Sequence, residues 1–328
     1  MQREVRETEM MQHFKVYVTD ARHTSYEIER ALLQQIGAEL CICNCASAEE
    51  VKKQCADADA LLLDMAPADR SVIDALTNCK IISRYGVGFD NVDIQAAREH
   101  GILVTNVPDY CVEDVSDHAL ALIMACMRDI ARRDRLVRNG AWNIQRTSYR
   151  LCGKTLGLLG FGRISRALAR KFSGMGLEKI LIYDPYIPQE VCEELGVQKA
   201  ELEEVLRQAD ILSLHMPVTE QTRGMIDRRA LGMMKSSAIL VNTARGALVD
   251  DEALIEALEQ HKILCAGLDT HNHEPLPADS AYLKLDNVIL TDHTAYSTVE
   301  AVEELKHQAA QNVVDVLLGK RPKHVVNP

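Results

Sequence analysis

Apolar and polar positions alternate through Phe14-Lys15-Val16-Tyr17-Val18-Thr19-Asp20, the period-two signature of a strand ending in polar residues. From Tyr26 to Ile36 the apolar residues return at helical spacing until Gly37 stops them, and a short strand follows from Glu39 to Cys43. The alternation repeats: helix Ala48 to Cys55, strand Ala60 to Leu63, helix Ser71 to Leu76, strand Lys80 to Ser83, a helix from Asp93, strand Ile102 to Thr105. Strands and helices taken in turn predict a parallel sheet covered on both faces. Residues 1–12 are polar and aperiodic and read as a frayed lead-in.

After Asn106-Val107-Pro108 the pattern changes. Glu113 to Val137 reads as one long helical segment, apolar nearly all round its first half. Such a helix must be covered on more than one side, and a partner subunit is the expected cover, so a homodimer is predicted. A second alternating run opens at Lys154. It holds the buried strand Thr155 to Gly160, helix Ile164 to Phe172 and strand Ile180 to Asp184, followed by helix Glu201 to Gln208 and strand Ile211 to His215. Helix Asp227 to Met234, strand Ala238 to Asn242, helix Asp251 to Gln260 and strands Ala266 to Asp269 and Val288 to Thr291 complete it, before a last helix from Val299 to Leu318. Two doubly wound α/β lobes are therefore expected. The length of 328 residues agrees, being about twice a 150-residue domain.

Composition narrows the partners. With 48 acidic against 37 basic side chains the formal net charge is -11, which disfavours phosphate backbones and anionic lipid, so neither nucleic acid nor membrane is expected. The longest apolar stretch, Ala119 to Met127, is about half the roughly 20 residues of a bilayer span, and the first residues carry no apolar leader core. A cytoplasmic protein with reduced thiols is the expectation for its 10 cysteines. Cys41, Cys43 and Cys45 would share one face of a strand, a spacing that suits a soft ion, but no CxxC pair accompanies them. They read as small side chains filling a strand face, and no metal is expected.

Chemistry concentrates in the second half. Gly160-Phe161-Gly162-Arg163-Ile164-Ser165 fits GxGxxG except that serine stands at the third glycine. The first glycine permits the tight turn, the second lets the backbone approach a pyrophosphate, and the third allows helix and strand to pack closely, which the small serine still permits. A strand precedes this loop, a helix follows it, and Asp184 closes the next strand roughly 20 residues on, where a carboxylate accepts from ribose hydroxyls and repels a 2′-phosphate. NAD is favoured over NADP. A methyltransferase would use a similar loop, and residues further along the chain decide between the two. Arg245, Glu274 and His293 each come just after a strand, the end at which open α/β sheets place ligands. They supply what reduction of a 2-oxo acid needs beyond a hydride: a cation for the carboxylate and carbonyl, and an acid for the new alkoxide with a carboxylate to support it.

The chain resembles the D-isomer-specific 2-hydroxyacid dehydrogenases over nearly its whole length. The likeness runs from Val18-Thr19-Asp20 through Arg84-Tyr85-Gly86-Val87-Gly88-Phe89-Asp90-Asn91 and Asn106-Val107-Pro108 to His293-Thr294-Ala295. It implies a Rossmann NAD-binding domain with a dimerisation helix, residues 107–294, inserted into a flavodoxin-like substrate domain made of 1–106 and 295–328. It also implies that His293 donates the proton, Glu274 supports the imidazolium, and Arg245 orients the carboxylate. Implied substrate contacts are Tyr85, the amides of Val87 and Gly88, and Arg245. Implied cofactor contacts are Gly160, Phe161, Gly162, Arg163, Ile164, Asp184, His215, Pro217, Thr222, Thr243, Ala244 and Asp269, the last at the nicotinamide amide.

The chain departs from the family pattern at Ser165, at Asp292 before the catalytic histidine, and at His271-Asn272-His273, where an HxH pair invites a zinc reading with His293 but offers no fourth ligand. Glu274 argues against a formate dehydrogenase, which pairs its histidine with glutamine. The expected activity is that of an NAD-dependent D-2-hydroxyacid dehydrogenase working as a 2-oxo acid reductase on a small carboxylate. The alternative is an NADH-responsive scaffold of the C-terminal-binding protein type, to which Tyr110 to Val115 and His293 to Ser297 are similar. The full catalytic set favours the enzyme.

Overall fold

Five strands, β1 (Lys15–Val18), β2 (Glu39–Ile42), β3 (Ala60–Leu63), β4 (Ile81–Arg84) and β5 (Leu103–Thr105), form one sheet in the order β2-β1-β3-β4-β5. Every pairing is parallel. The central β3 is an unbroken apolar run buried along its length, as a strand covered on both faces must be, whereas the edge strand β2 is partly exposed. On one face lie helices α1 (Glu27–Gln34) and α12 (Val299–Leu317), whose Leu305, Ala309 and Val313 share a core with Val16, Val18 and Leu62. On the other lie α2 (Ala48–Cys55), α3 (Arg70–Ala75) and α4 (Ile94–Glu99). The tail after α12 is pinned by Asn327, whose side chain accepts from the Val104 amide at 2.7 Å and donates to the Ile102 carbonyl at 2.9 Å.

The second sheet has seven parallel strands: β6 (Thr155–Leu159), β7 (Lys179–Tyr183), β8 (Gln198–Lys199), β9 (Ile211–Leu214), β10 (Ile239–Asn242), β11 (Cys265–Leu268) and β12 (Val288–Leu290). Their order is β12-β11-β10-β9-β6-β7-β8, so the winding reverses between β6 and β9, the switch point of a Rossmann sheet. One face is covered by α5 (Val112–Arg128) and α7 (Arg163–Lys171), the other by α9 (Leu202–Gln208), α10 (Arg228–Met233) and α11 (Asp251–Glu259). Gly157 inside β6 has a packing reason, since a Cβ there would lie 2.8 Å from Val205 Cγ1 and 2.9 Å from Ala209 Cβ.

The computed structural model describes residues 13–145 and 148–328, and the lead-in expected over residues 1–12 lies outside them. The chain separates into two units, one running up to Cys111 and resuming with Thr298–Pro328, the other Val112–Ser297. The Rossmann unit is thus inserted in the chain between β5 and α12 of the flavodoxin-like unit. The breaks fall after Cys111 and Ser297, whereas residues 106 and 294 were expected. Val107 is fully buried in the first unit's core, and the Ala295 amide is held by Asp269 of the second.

The segment expected as one helix to Val137 is two. Asp129 adopts a left-handed conformation (φ 54°) that ends α5, and α6 (Ile130–Arg138) starts afresh. The apolar first half of α5 is covered by its own sheet, with Ala119, Leu122, Ile123 and Cys126 packed among Leu156, Leu158 and Val241. That helix therefore gives no argument for a partner subunit. Also unforeseen were α8 (Gln189–Glu194) and the two-residue β8, both too short to show a period. Among the described residues no helix is long and apolar enough to cross a membrane.

Candidate active site

Because all seven strands of the second unit point the same way, every loop expected to carry chemistry leaves one edge of the sheet. The glycine turn follows β6. Gly160 has φ 85°, and a Cβ there would stand 2.8 Å from the His215 carbonyl oxygen, so glycine is required both by backbone conformation and by close approach across the switch point. Gly162 differs: nothing in the protein lies within 4 Å of where its Cβ would be, so its missing side chain answers no internal contact. Gly162 also caps α7 without a side-chain hydrogen bond, and the first turn of that helix holds no acidic residue. Its amides and dipole are left to an anion. Ser165 is fully buried, its hydroxyl directed to the Gly162 carbonyl at 3.3 Å, and so fills the third-glycine position without opening the packing.

Asp184 ties the edge together. Its Oδ2 accepts from the Phe161 amide at 2.8 Å and its Oδ1 from the Tyr186 amide at 2.9 Å, which leaves each oxygen able to accept again. Phe161 is buried beneath the turn, while Arg163 is exposed at the start of the helix and Ile164 half-buried. His215 lies after β9 with Nε2 2.8 Å from Ser213 Oγ, and burial alone lowers its pKa to about 4, so the ring is neutral at physiological pH. Pro217 is exposed at the head of the following loop. Thr222 closes that loop, its hydroxyl donating to the Pro217 carbonyl and accepting from the Thr219 amide, both at 2.7 Å.

The turn after β10 is shaped by Asn242. Its side chain accepts from the Ala244 amide at 3.0 Å and donates to the Arg245 carbonyl at 2.9 Å, while the Arg245 guanidinium donates to the Ala244 carbonyl at 2.7 Å. Thr243 is buried, and its hydroxyl oxygen has no hydrogen-bond partner within the protein. Gly246 admits no side chain at all, since a Cβ would lie 2.1 Å from the His271 carbonyl carbon and 2.4 Å from the Asn272 nitrogen. That contact sets the Arg245 turn against the loop that carries Glu274.

Glu274 and His293 meet directly, with Glu274 Oε2 2.7 Å from His293 Nδ1 and Oε1 accepting from the His271 amide at 2.9 Å. Burial pushes the Glu274 carboxyl up. The hydrogen bonds from His293 and the His271 amide, with the nearby imidazoles, outweigh it and hold the group below the ordinary glutamate value. His293 has a left-handed backbone (φ 57°), a conformation of roughly 1–3 kcal/mol strain that persists where the surroundings enforce it.

Asp269 supplies the enforcement. Fully buried, it accepts from the Thr291 hydroxyl at 2.6 Å and from the Thr294 and Ala295 amides at 3.0 and 3.1 Å, and its carbonyl receives the His293 amide at 2.8 Å. Its carboxylate thus holds the turn that carries His293. His118 of α5 completes the arrangement, with Nε2 3.0 Å from the Thr291 hydroxyl and 3.5 Å from Asp269. The Thr291 proton goes to Asp269, so His118 is the donor to Thr291. His118, Asn242 and Gly246 escaped the sequence reading of the site. The one available signal for His118 was a polar ring among the apolar residues of its helix.

His271 turns inward, its Nε2 2.9 Å from the Thr291 carbonyl, while His273 is exposed, so His271 serves the turn and, among the described residues, the two rings do not converge on an ion. Asp292 is exposed. In the first unit, Tyr85 is 2% exposed and its hydroxyl donates to the buried Glu29 at 2.8 Å. Its side chain belongs to the core and supports the loop after β4. Val87 is at the surface of that loop and Gly88 half-buried. The loop is held by Asn106, which donates to the Val87 carbonyl at 2.7 Å, and by the Val107 amide, which donates to the Gly86 carbonyl at 2.9 Å.

The bare Gly162, the close turn at Gly160, the uncapped helix and Asp184 together fit a dinucleotide, and the Glu274–His293 pair on the same sheet edge fits an oxidoreductase that moves a proton beside it. The profile of the D-isomer specific 2-hydroxyacid dehydrogenase NAD-binding domain matches residues 120–295. The chain is 40% identical over 280 residues to a glyoxylate reductase of Korarchaeum cryptofilum, covering 84% of this chain and 83% of that protein. It is 39% identical over 316 residues to a D-3-phosphoglycerate dehydrogenase of Methanocaldococcus jannaschii, covering 95% of this chain but 59% of that longer protein. A D-lactate dehydrogenase with NAD+ from Lactobacillus jensenii superposes with a TM-score of 0.80 at 34% identity, over 96% of this chain and all of that one. The chain belongs to the D-isomer specific 2-hydroxyacid dehydrogenase family and is a nicotinamide-dependent oxidoreductase.

The lowered Glu274 value has a testable consequence. A carboxyl depressed in the folded state contributes stability above its unfolded value, roughly 4.3, and loses it as pH falls through the folded value. The gap in unfolding midpoint between wild type and Glu274→Gln should therefore be widest above roughly pH 5 and shrink on acidification. A gap that does not change with pH in thermal melts would contradict the pairing.

Proposed function

We propose that this chain reduces a small 2-oxo acid to the D-2-hydroxy acid with NADH, and that Arg245, Glu274 and His293 carry the reaction. The observation that supports it most directly is the 2.7 Å contact between His293 Nδ1 and Glu274. With Nδ1 held by the carboxylate, Nε2 is the nitrogen left to give its proton to the substrate oxygen. The Arg245 guanidinium grips the planar carboxylate and polarises the neighbouring carbonyl.

The cofactor, when bound, supplies the hydride. Gly160, Phe161, Gly162, Arg163 and Ile164 would hold its pyrophosphate, and Asp184 its ribose hydroxyls, a carboxylate that disfavours the 2′-phosphate of NADP. His215, Pro217, Thr243 and Ala244 would line the groove. Thr222 and Asp269 are proposed at the same groove, Asp269 at the nicotinamide amide, and they also close one loop and brace the His293 turn. The scaffold reading is not favoured, because the relatives are named as reductases and dehydrogenases and the acid–carboxylate pair is assembled. We further propose a cytoplasmic homodimer, supported by the exposed apolar Ile130 and Val137 of α6 and Trp142 just beyond it.

Initial rates of NADH oxidation with 2-oxo acids graded by size and charge test the activity, and tight NADH binding without turnover on any of them would restore the scaffold. His293→Ala should lower turnover roughly a hundredfold or more with NADH binding nearly intact; unchanged turnover removes His293 from the mechanism. Asp184→Ala should weaken NADH much more than NADPH in fluorescence titrations, and equal losses would contradict the ribose role. Light scattering on the eluted protein should give twice 36.6 kDa, and a single species at 36.6 kDa overturns the dimer.

A further inference from the structure

Away from that edge, in the first unit, Cys43, Cys45 and Cys55 bring three sulfur atoms within 4.8 Å of one another. The strand triplet suggested by the sequence is broken up. Cys41 turns toward the Tyr17 hydroxyl, and Cys55, from the last turn of α2, takes its place beside the two cysteines that follow β2. Cys55 is fully buried and Cys45 4% exposed, while Cys43 is partly exposed and gives the cluster a mouth. Burial and the neighbouring cysteine hold Cys45 up to about 11, and burial with both neighbours raises Cys55 further, so in the metal-free protein Cys45 and Cys55 are thiols and poor nucleophiles.

The ligand set is selective. No carboxylate or imidazole belongs to the group, which leaves hard oxygen-seeking ions without partners, and three ligands fall short of the tetrahedron of a structural zinc site. At a metal–sulfur bond of roughly 2.3 Å, three sulfurs in a plane around an ion stand about 4 Å apart. The three sulfurs, all within 4.8 Å of one another, are gathered on that scale. We propose that Cys43, Cys45 and Cys55 form a three-coordinate site for a soft monovalent ion, Cu(I), that clips the end of β2 to the end of α2. Each S–Cu bond replaces one S–H bond, whose proton leaves to solvent, and copper stays Cu(I) throughout.

The test is anaerobic titration of the full chain with Cu(I) against a chromophoric Cu(I) chelator, together with thermal melts of the loaded protein. Wild type should withdraw one equivalent and melt at a higher temperature when loaded. Cys43→Ser, at the partly exposed position, should fold normally yet hold copper at least tenfold more weakly and lose the melting shift. Cys152→Ser, an exposed thiol outside the cluster, should behave as wild type. No retained equivalent in wild type, or equal retention and shift in Cys43→Ser, overturns the site. These readouts do not involve turnover, so the result stands apart from the proposed reaction.

Discussion

The buried carboxylate of Asp269 is the constraint on which the turn carrying His293 depends. A carboxylate with no solvent contact must find hydrogen-bond donors inside the protein, and Asp269 finds them in the Thr291 hydroxyl and the Thr294 and Ala295 amides. Those donors belong to one turn, so satisfying the charge fixes the turn, and the turn holds His293 in a backbone conformation it would not adopt alone. Leaving such a group without partners is far more destabilising than the strain at one residue. The geometry of the His293 imidazole thus follows from an electrostatic requirement met beneath it, with His118 adding a donor from a helix on the sheet's face.

A second constraint is backbone proximity. Gly160 lets the glycine turn touch the chain leaving β9, and Gly246 lets the Arg245 turn touch the chain ahead of Glu274. In both places a methyl group would collide with main-chain atoms, which cannot rotate away as a side chain can. The groups that meet ligand in the proposed reaction sit on loops, but each loop is pinned by a strand end, a buried polar side chain or a glycine contact. Such pinning holds reacting groups within tenths of an ångström, the scale on which proximity assists a reaction.

Several side chains that a ligand-centred reading assigns to substrate or cofactor have structural partners of their own. Tyr85 is bound to Glu29, Thr222 to the ends of its loop, and Asp269 to the His293 turn. Each supports a segment whose backbone remains available. Side chains at the sheet edge therefore divide between those that hold the loops in place and those, such as Arg245, Glu274 and His293, that are left partly exposed.

The alternation of strands and helices, the two-lobed order, the glycine turn with its acid, and the placement of Arg245, Glu274 and His293 just beyond strands of one sheet were legible in the residues alone. Periodicity and turn chemistry are local, and a parallel sheet sends every βα loop to one edge whatever its register. Local reading failed where the answer depends on what packs from a distance. Whether the apolar half of α5 meets a sheet or a partner, where Asp129 ends that helix, which way Tyr85 and Asp269 face, and which cysteine joins Cys43 and Cys45 are settled by contacts between segments far apart in the chain. Burial and pairing of polar groups are properties of the assembled core, and no window of sequence contains both partners.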